Sequence, residues 1–240
     1  MIYMGSKNRI AKHILPIMLE NRNSAQYWVE PFVGGGNIID KVSGKRIGSD
    51  INKYVIEALI AIRDDIDKLP KNNNEFTEQD YKQLRLNDNY KYKGYADFAF
   101  SFGGKWLGGW SRNKKSDDYV NRAYRNALKQ SPNLQDVKLK CCPYNKLYIP
   151  KNSIIYCDPP YAHTTKYSHV FNHDLFWQWC REKSDQRHTV FISEYKAPKD
   201  FKCVWSKPLI NNLAKKDDKT KEFVEKLFIY KPRLKKRKAA

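Results

Sequence analysis

The stretch Tyr27-Trp-Val-Glu-Pro-Phe-Val-Gly-Gly-Gly-Asn37 decides the fold. Residues 27–32 read as a strand, and it stops at the glycine turn Gly34-Gly35-Gly36. A helix is expected from Asn37, with Gly44 limiting its length. Residues 46–49 read as a short second strand ending at Asp50. Residues 51–69 read as a helix, with Val55, Leu59 and Ile62 on one face and Pro70 after it. Upstream, Ile10, Ile14, Leu15 and Met18 form a helical stripe over residues 7–19. This strand–turn–helix–strand–acid–helix order belongs to a parallel, nucleotide-type sheet.

Strand signals return at residues 153–157 and 189–193, with a final pair at 204–205 and 222–230. Residues 71–137 differ: Asn, Lys, Tyr and Gly are frequent, and the run from Gly103 to Arg112 is too glycine-rich for a regular helix. The expected organisation is one α/β domain in two sequence halves, 1–70 and 138–230. Residues 71–137 are then an insertion and residues 231–240 a basic tail.

Composition narrows the function. The 240 residues carry 45 Lys+Arg against 26 Asp+Glu, a formal net charge of +19, and only six of the basic residues lie in the last ten positions. A charge spread this widely favours a polyanionic partner. With 41 % hydrophobic residues the chain is not a disordered one. No apolar run approaches the length of a membrane span, and the N-terminus lacks the apolar stretch of a secretory signal. Five cysteines without a CxxC pair fit reduced thiols, so a cytoplasmic setting is expected.

The most informative tetrapeptide is Asp158-Pro159-Pro160-Tyr161, after the strand Ile154-Ile-Tyr-Cys157. Open α/β sheets bind ligands at such carboxyl ends. The two prolines remove backbone donors, leaving carbonyls and one carboxylate, an all-acceptor rim suited to an exocyclic amino group. Tyr161 adds a plate on which a base could stack. A proline-rich turn with a helix-capping Asp is the plainer reading of the same residues. The glycine turn has Ile at position 39 in place of the third glycine of the dinucleotide fingerprint, which disfavours a pyrophosphate ligand. Asp50 stands where an acid accepts ribose hydroxyls in nucleotide folds.

Together, Tyr3-Met-Gly-Ser-Lys7, Glu30-Pro-Phe-Val-Gly-Gly-Gly36, Ser49-Asp-Ile-Asn52 and Asp158-Pro-Pro-Tyr161 occur in the order seen in Dam-type (D12 class) N6-adenine DNA methyltransferases. The resemblance continues through residues 171–177, 191–195 and 222–230. The stretch Phe102-Gly-Gly-Lys-Trp-Leu-Gly-Gly-Trp110 looks especially like phage-encoded members. It implies a Rossmann-like, S-adenosylmethionine-dependent methyltransferase sheet with an inserted target-recognition subdomain. It also implies duplex DNA as partner and a bacterial or phage-infected cytoplasm, often within restriction-modification.

By the same resemblance, S-adenosylmethionine is bound through Tyr3 and Lys7. The loop of Glu30, Phe32, Gly34 and Gly36 runs beneath its methionine part, and Asp50 holds its ribose. Asp158, placed at both substrates, and the Pro159 carbonyl accept from the adenine N6 amino group, while Tyr161 stacks on the flipped base. Phe171 is a looser assignment near the site. One departure stands out: where members carry an acid before the Asp-Pro-Pro-Tyr strand, this chain reads Cys142-Pro143-Tyr144-Asn145.

The 71–137 segment is the candidate recognition element, with eleven Lys+Arg against five Asp+Glu between Gln79 and Gln130. Arg85, Lys105, Arg112, Lys114, Lys115, Arg122 and Arg125 could meet phosphates or guanine edges. Phe98, Phe100, Phe102 and Trp106 read as core rather than as DNA wedges. No metal site is expected: His169 and His173 lack an accompanying Glu in an HExxH pattern. Glu194-Tyr-Lys196 could be half of a metal-dependent nuclease site. A catalytically silent DNA-binding protein of the same fold is a further alternative, and N4-cytosine methylation is the nearest rival chemistry. The cytosine enzymes more often carry Ser where Asp158 stands, which favours adenine.

Overall fold

The computed structural model describes residues 1–84, 86–112, 118–161, 171–209 and 223–231. Helix α1 (Asn8–Leu19) buries the stripe Ile10, Ile14, Leu15 and Met18. After β1 (Trp28–Glu30) and β2 (Arg46–Asp50) comes α2 (Lys53–Asp64). Asn52 caps α2, its side chain accepting from the Tyr54 N–H at 3.0 Å. The next elements are α3 (Glu78–Gln83), α4 (Lys93–Ala99) and α5 (Tyr119–Leu134). The chain continues as β3 (Val137–Cys141), β4 (Ile154–Cys157), α6 (His173–Asp185), β5 (Thr189–Glu194), β6 (Phe201–Leu209) and β7 (Phe223–Tyr230).

The strands form a mixed seven-stranded sheet in the order β3-β2-β1-β4-β5-β7-β6. The pairs β2–β3, β1–β4 and β4–β5 are parallel, whereas β7 runs antiparallel to both β5 and β6. The first five positions follow the doubly wound α/β order, so the expected fold class is met.

Two expectations change. Instead of a helix from Asn37 there is one 3-10 turn, Ile39–Lys41. Ile38, Ile39 and Val42 are all buried, and Gly44 turns at φ +76°. Three β-branched residues needed by the core and an early glycine leave no room for a longer helix. Residues 51–69 are likewise shorter than expected as a helix, because α2 stops at Asp64 and a 3-10 turn, Ile66–Lys68, follows. Strand β3 has no counterpart in the sequence reading. It lies at the sheet edge and is only five residues long, although Val137, Leu139 and Cys141 alternate with Lys138 and Lys140 as a strand's residues do.

The chain divides into two compact units, one of Met1–Pro16 and Glu30–Tyr148, the other of Ile17–Val29 and Ile149–Ala240. In the first, α4 and α5 pack against α2. In the second, the Trp28 and Tyr156 rings stack at 6.1 Å, both fully buried. The Tyr156 hydroxyl is 2.8 Å from Ser193 Oγ, joining β4 to β5. Replacing Tyr156 by Phe leaves the buried Ser193 hydroxyl without that partner. We expect Tyr156→Phe to lower unfolding stability by about 1–2 kcal/mol, read as a lower urea midpoint at unchanged slope.

Candidate active site

The first unit assembles the glycine turn. The Val33 N–H donates to the Ser49 carbonyl at 2.8 Å, and the Gly36 N–H closes the turn on the Val33 carbonyl at 2.9 Å. Gly34 and Gly36 take φ of +47° and +69°, a region that side chains disfavour. Tyr3 lies against the turn: a Cβ on Gly34 would sit 2.9 Å from its ring, and one on Gly35 2.6 Å from its Cβ. The Tyr3 ring also packs against Phe98 at 5.3 Å.

Asp50, at the end of β2, reaches the same turn. Its Oδ2 accepts from the Gly34 N–H at 3.2 Å and its Oδ1 from the Asn52 N–H at 2.9 Å. Burial pushes its pKa up to about 6, with the backbone N–H groups of Asn52, Gly34 and Ile51 pulling the other way. Phe32 stacks on Tyr144 at 5.3 Å, and Tyr144 opens the 3-10 turn that follows Pro143. Cys142 ties this corner to β2: its N–H donates to the Asp50 carbonyl at 3.0 Å, and its carbonyl accepts from Ser49 Oγ at 2.7 Å. Glu30 is buried at the end of β1, and Lys7 is half-buried where its carbonyl receives the first N–H groups of α1. Tyr3, Gly34 and Asp50 are thus brought together directly, with Phe32 and the Pro143 corner joined to the same strand ends.

The second unit carries the acceptor rim. Asp158 and Tyr161 are half-buried and Pro159 is buried, immediately after β4. The Tyr161 hydroxyl donates to Glu225 Oε2 at 2.8 Å, and its ring meets Tyr195 edge-on at 4.6 Å. Burial and the neighbouring Asp158 and Glu225 charges raise the Tyr161 pKa well above its ordinary value, so it remains a neutral phenol. Glu225 was missed in the sequence, yet a signal exists. On β7 it alternates with Leu227, and an acid on a buried face asks for a partner; it is 7 % exposed. Phe171 packs on His173 and Phe176, at the start of α6. Residues 162–170, His169 among them, lie outside the described residues.

Glu194 is buried and its carboxylate accepts from the adjacent Tyr195 N–H at 2.5 Å. Among the described residues no group of three or more His, Cys, Asp or Glu is arranged to hold a metal.

Of the candidate DNA contacts, Lys105, Arg122 and Arg125 are exposed, and Arg122 lies over the Tyr119 ring at 4.1 Å. Arg112 is exposed but engaged by both oxygens of Glu78, which also binds Lys82 at 3.1 Å. Lys114, Lys115 and Arg85 lie outside the described residues. Phe98 and Phe100 are buried as expected, and Trp106 stacks on Tyr54 at 4.2 Å. Phe102 is a correction: it is 55 % exposed, because the tight loop through Gly103 and Gly104 turns it away from the cluster that takes its neighbours.

A family model, that of the D12 class N6 adenine-specific DNA methyltransferases, matches residues 3–100 and 108–232. The chain belongs to that family. Its relatives include the type II methyltransferase M.MjaIII of Methanocaldococcus jannaschii, 30 % identical over 69 % of this chain and 70 % of that protein. Another is the type II methyltransferase M.FokI of Planomicrobium okeanokoites, 25 % identical over 68 % of this chain but only 29 % of that protein. The solved structure of SMU.472 complexed with SAH covers 95 % of this chain and 54 % of its own, at 15 % identity and a TM-score of 0.35, too slight a likeness to bear on the argument. For this D12 family member, no helix among the described residues is long and apolar enough to cross a membrane.

The raised Asp50 pKa has a thermodynamic consequence. A carboxyl that holds its proton more tightly when folded adds stability as the pH falls through about 6, the gain being complete below its unfolded value of 3.8. We therefore expect wild type to gain on Asp50→Asn by on the order of 2–3 kcal/mol between pH 7 and pH 4, measured by urea unfolding at each pH.

Proposed function

We propose that the chain transfers a methyl group from S-adenosylmethionine to the N6 amino group of an adenine flipped out of duplex DNA. The observation that carries this reading is the Asp158-Pro-Pro-Tyr161 rim directly after β4, in a member of an adenine-specific family. The residues present suit the cofactor. Glycines 34 to 36 leave a turn without side chains, and the partly buried Asp50 carboxylate is an acceptor of the kind that ribose hydroxyls require. In this reading Tyr3, Lys7, Glu30, Phe32, Gly34, Gly36 and Asp50 hold S-adenosylmethionine, which supplies an electrophilic methyl on sulfur.

The protein's task is then electrostatic and positional. The adenine N6 lone pair is delocalised into the ring, so the amine is a poor nucleophile. Asp158 and the Pro159 carbonyl accept its two N–H bonds, which localises the lone pair and aims it at the methyl. Prolines at 159 and 160 add no competing donors. Extruding the base costs roughly a few kcal/mol, which stacking on Tyr161 offsets. The hydrogen bond to Glu225 and the edge contact with Tyr195 support a fixed ring plane for that purpose. Residues 71–137 serve as the target-recognition segment, with Lys105, Arg112, Lys114, Lys115, Arg122 and Arg125 as DNA contacts. The use of Arg112 requires release from Glu78.

Incubation with unmodified DNA and methyl-labelled S-adenosylmethionine, followed by mapping of the modified bases, tests the reading. Label at adenine N6 in one sequence motif is expected; label at cytosine N4, or none, would overturn it. Asp158→Ala should abolish transfer, by about three orders of magnitude or more, while leaving DNA affinity within about threefold in a gel-shift titration. Wild-type DNA affinity should itself fall steeply between 50 and 200 mM salt, by roughly a thousandfold if half a dozen phosphates are neutralised.

A further inference from the structure

Gln130 is one of several buried polar side chains that the mechanism above does not use. Gln130 of α5 is 4 % exposed, and both ends of its amide are engaged at the glycine turn. Its Nε2 donates to the carbonyls of Gly35 at 3.0 Å and Gly36 at 3.1 Å, and to Asp40 Oδ2 at 3.1 Å. Its Oε1 accepts from the Met1 nitrogen, which also donates to the Gly35 carbonyl at 3.0 Å. Burying an amide costs free energy unless its hydrogen bonds are made, so a residue that only filled this space would be apolar.

What these bonds restrain is specific. The peptide between Gly35 and Gly36 is held at its carbonyl by Gln130 and at its N–H by the Val33 carbonyl. A planar peptide fixed at both ends cannot swing without breaking both bonds. The following peptide is held through the Gly36 carbonyl. The approach is also close: a Cβ on Gly36 would lie 3.3 Å from Gln130 Nε2 and 3.0 Å from Leu59 Cδ2. Three consecutive glycines would otherwise sample many backbone states, each of which a ligand would have to exclude on binding.

We infer that Gln130 is a positioning residue for cofactor binding, holding the Gly34–Gly36 turn in its binding-competent shape from the α5 side. The inference rests on the proposal that this turn carries S-adenosylmethionine. Gln130 acts through the turn, and its loss should therefore appear in binding rather than in the chemical step.

Two variants of the full chain test this. Gln130→Glu keeps the shape but sets an acceptor against the three it used to serve; Gln130→Leu removes the polar group at similar size. The cofactor-free proteins are compared by amide hydrogen exchange over residues 34–37, and S-adenosylmethionine affinity is measured by calorimetry. Methyl transfer then gives kcat and KM for each substrate. Both variants should exchange faster in the turn and bind S-adenosylmethionine about tenfold or more weakly. The kcat at saturating cofactor and the KM for DNA should stay within about twofold. A merely structural role would lower the melting temperature without this split. Folded variants with wild-type cofactor affinity would overturn the inference, and so would unchanged exchange in the turn. If Leu fails to fold, Glu decides. Should wild type bind no S-adenosylmethionine, the cofactor reading itself falls. Faster exchange in the variants would then show a held turn whose purpose is not this cofactor, and the inference as stated falls with it.

Discussion

A chain that reverses just after a strand through three consecutive glycines must be held from outside, because glycine brings no conformational restraint of its own. Around Gly34–Gly36 that restraint comes from four directions. Ser49 takes the Val33 N–H, Asp50 takes the Gly34 N–H, Tyr3 lies against Gly34 and Gly35, and Gln130 takes the Gly35 and Gly36 carbonyls. These residues come from the approach to α1, the end of β2 and the middle of α5. The first unit therefore has a reason for its connectivity: the segment before α1 and the helix α5 both meet at one turn. Arg46 strengthens the same corner, donating to the Ile39 and Asn133 carbonyls at 3.2 and 2.6 Å.

What could be read in the sequence was local chemistry. The glycine run, the acid after the next strand and the Asp-Pro-Pro-Tyr turn each announce themselves within a few residues, because turn geometry and missing donors are properties of short segments. Partners brought in by tertiary packing were not readable. Gln130 sits in an ordinary helical pattern, and nothing nearby marks it as the residue beneath a turn about a hundred positions earlier. Glu225 is intermediate. Its strand alternation marks it as a buried acid, although only the fold identifies Tyr161 as the donor it meets. The misread helix after Asn37 shows the converse error, in which a local pattern yields to the core's demand for Ile38, Ile39 and Val42.

The net charge of +19 is not all free surface charge. A formal excess does not make each basic side chain available to DNA. Arg112 is held by both oxygens of Glu78, and Lys93 is buried with its ammonium on Asp88 and the Leu84 carbonyl. By contrast, Lys105, Arg122 and Arg125 are exposed. Exposed pairs such as Arg112–Glu78 are worth little in water, so a phosphate can compete with the carboxylate at small cost. Under the proposed function, the pair keeps a guanidinium extended and oriented for a phosphate.

Asp50 shows how one side chain can serve fold and chemistry together. A carboxylate offers about four acceptor positions, and the N–H groups of Gly34, Asn52 and Ile51 draw on them. In the proposed function the remaining capacity serves the ribose. Burial disfavours the charged form, which is why the group holds its proton up to a pH of about 6. Further hydrogen-bond donors would offset that penalty, so ionisation of Asp50 and ligand binding must favour one another. Because the same carboxylate also holds Gly34, any ligand that favours its charged form would, under the proposed function, strengthen a bond within the turn.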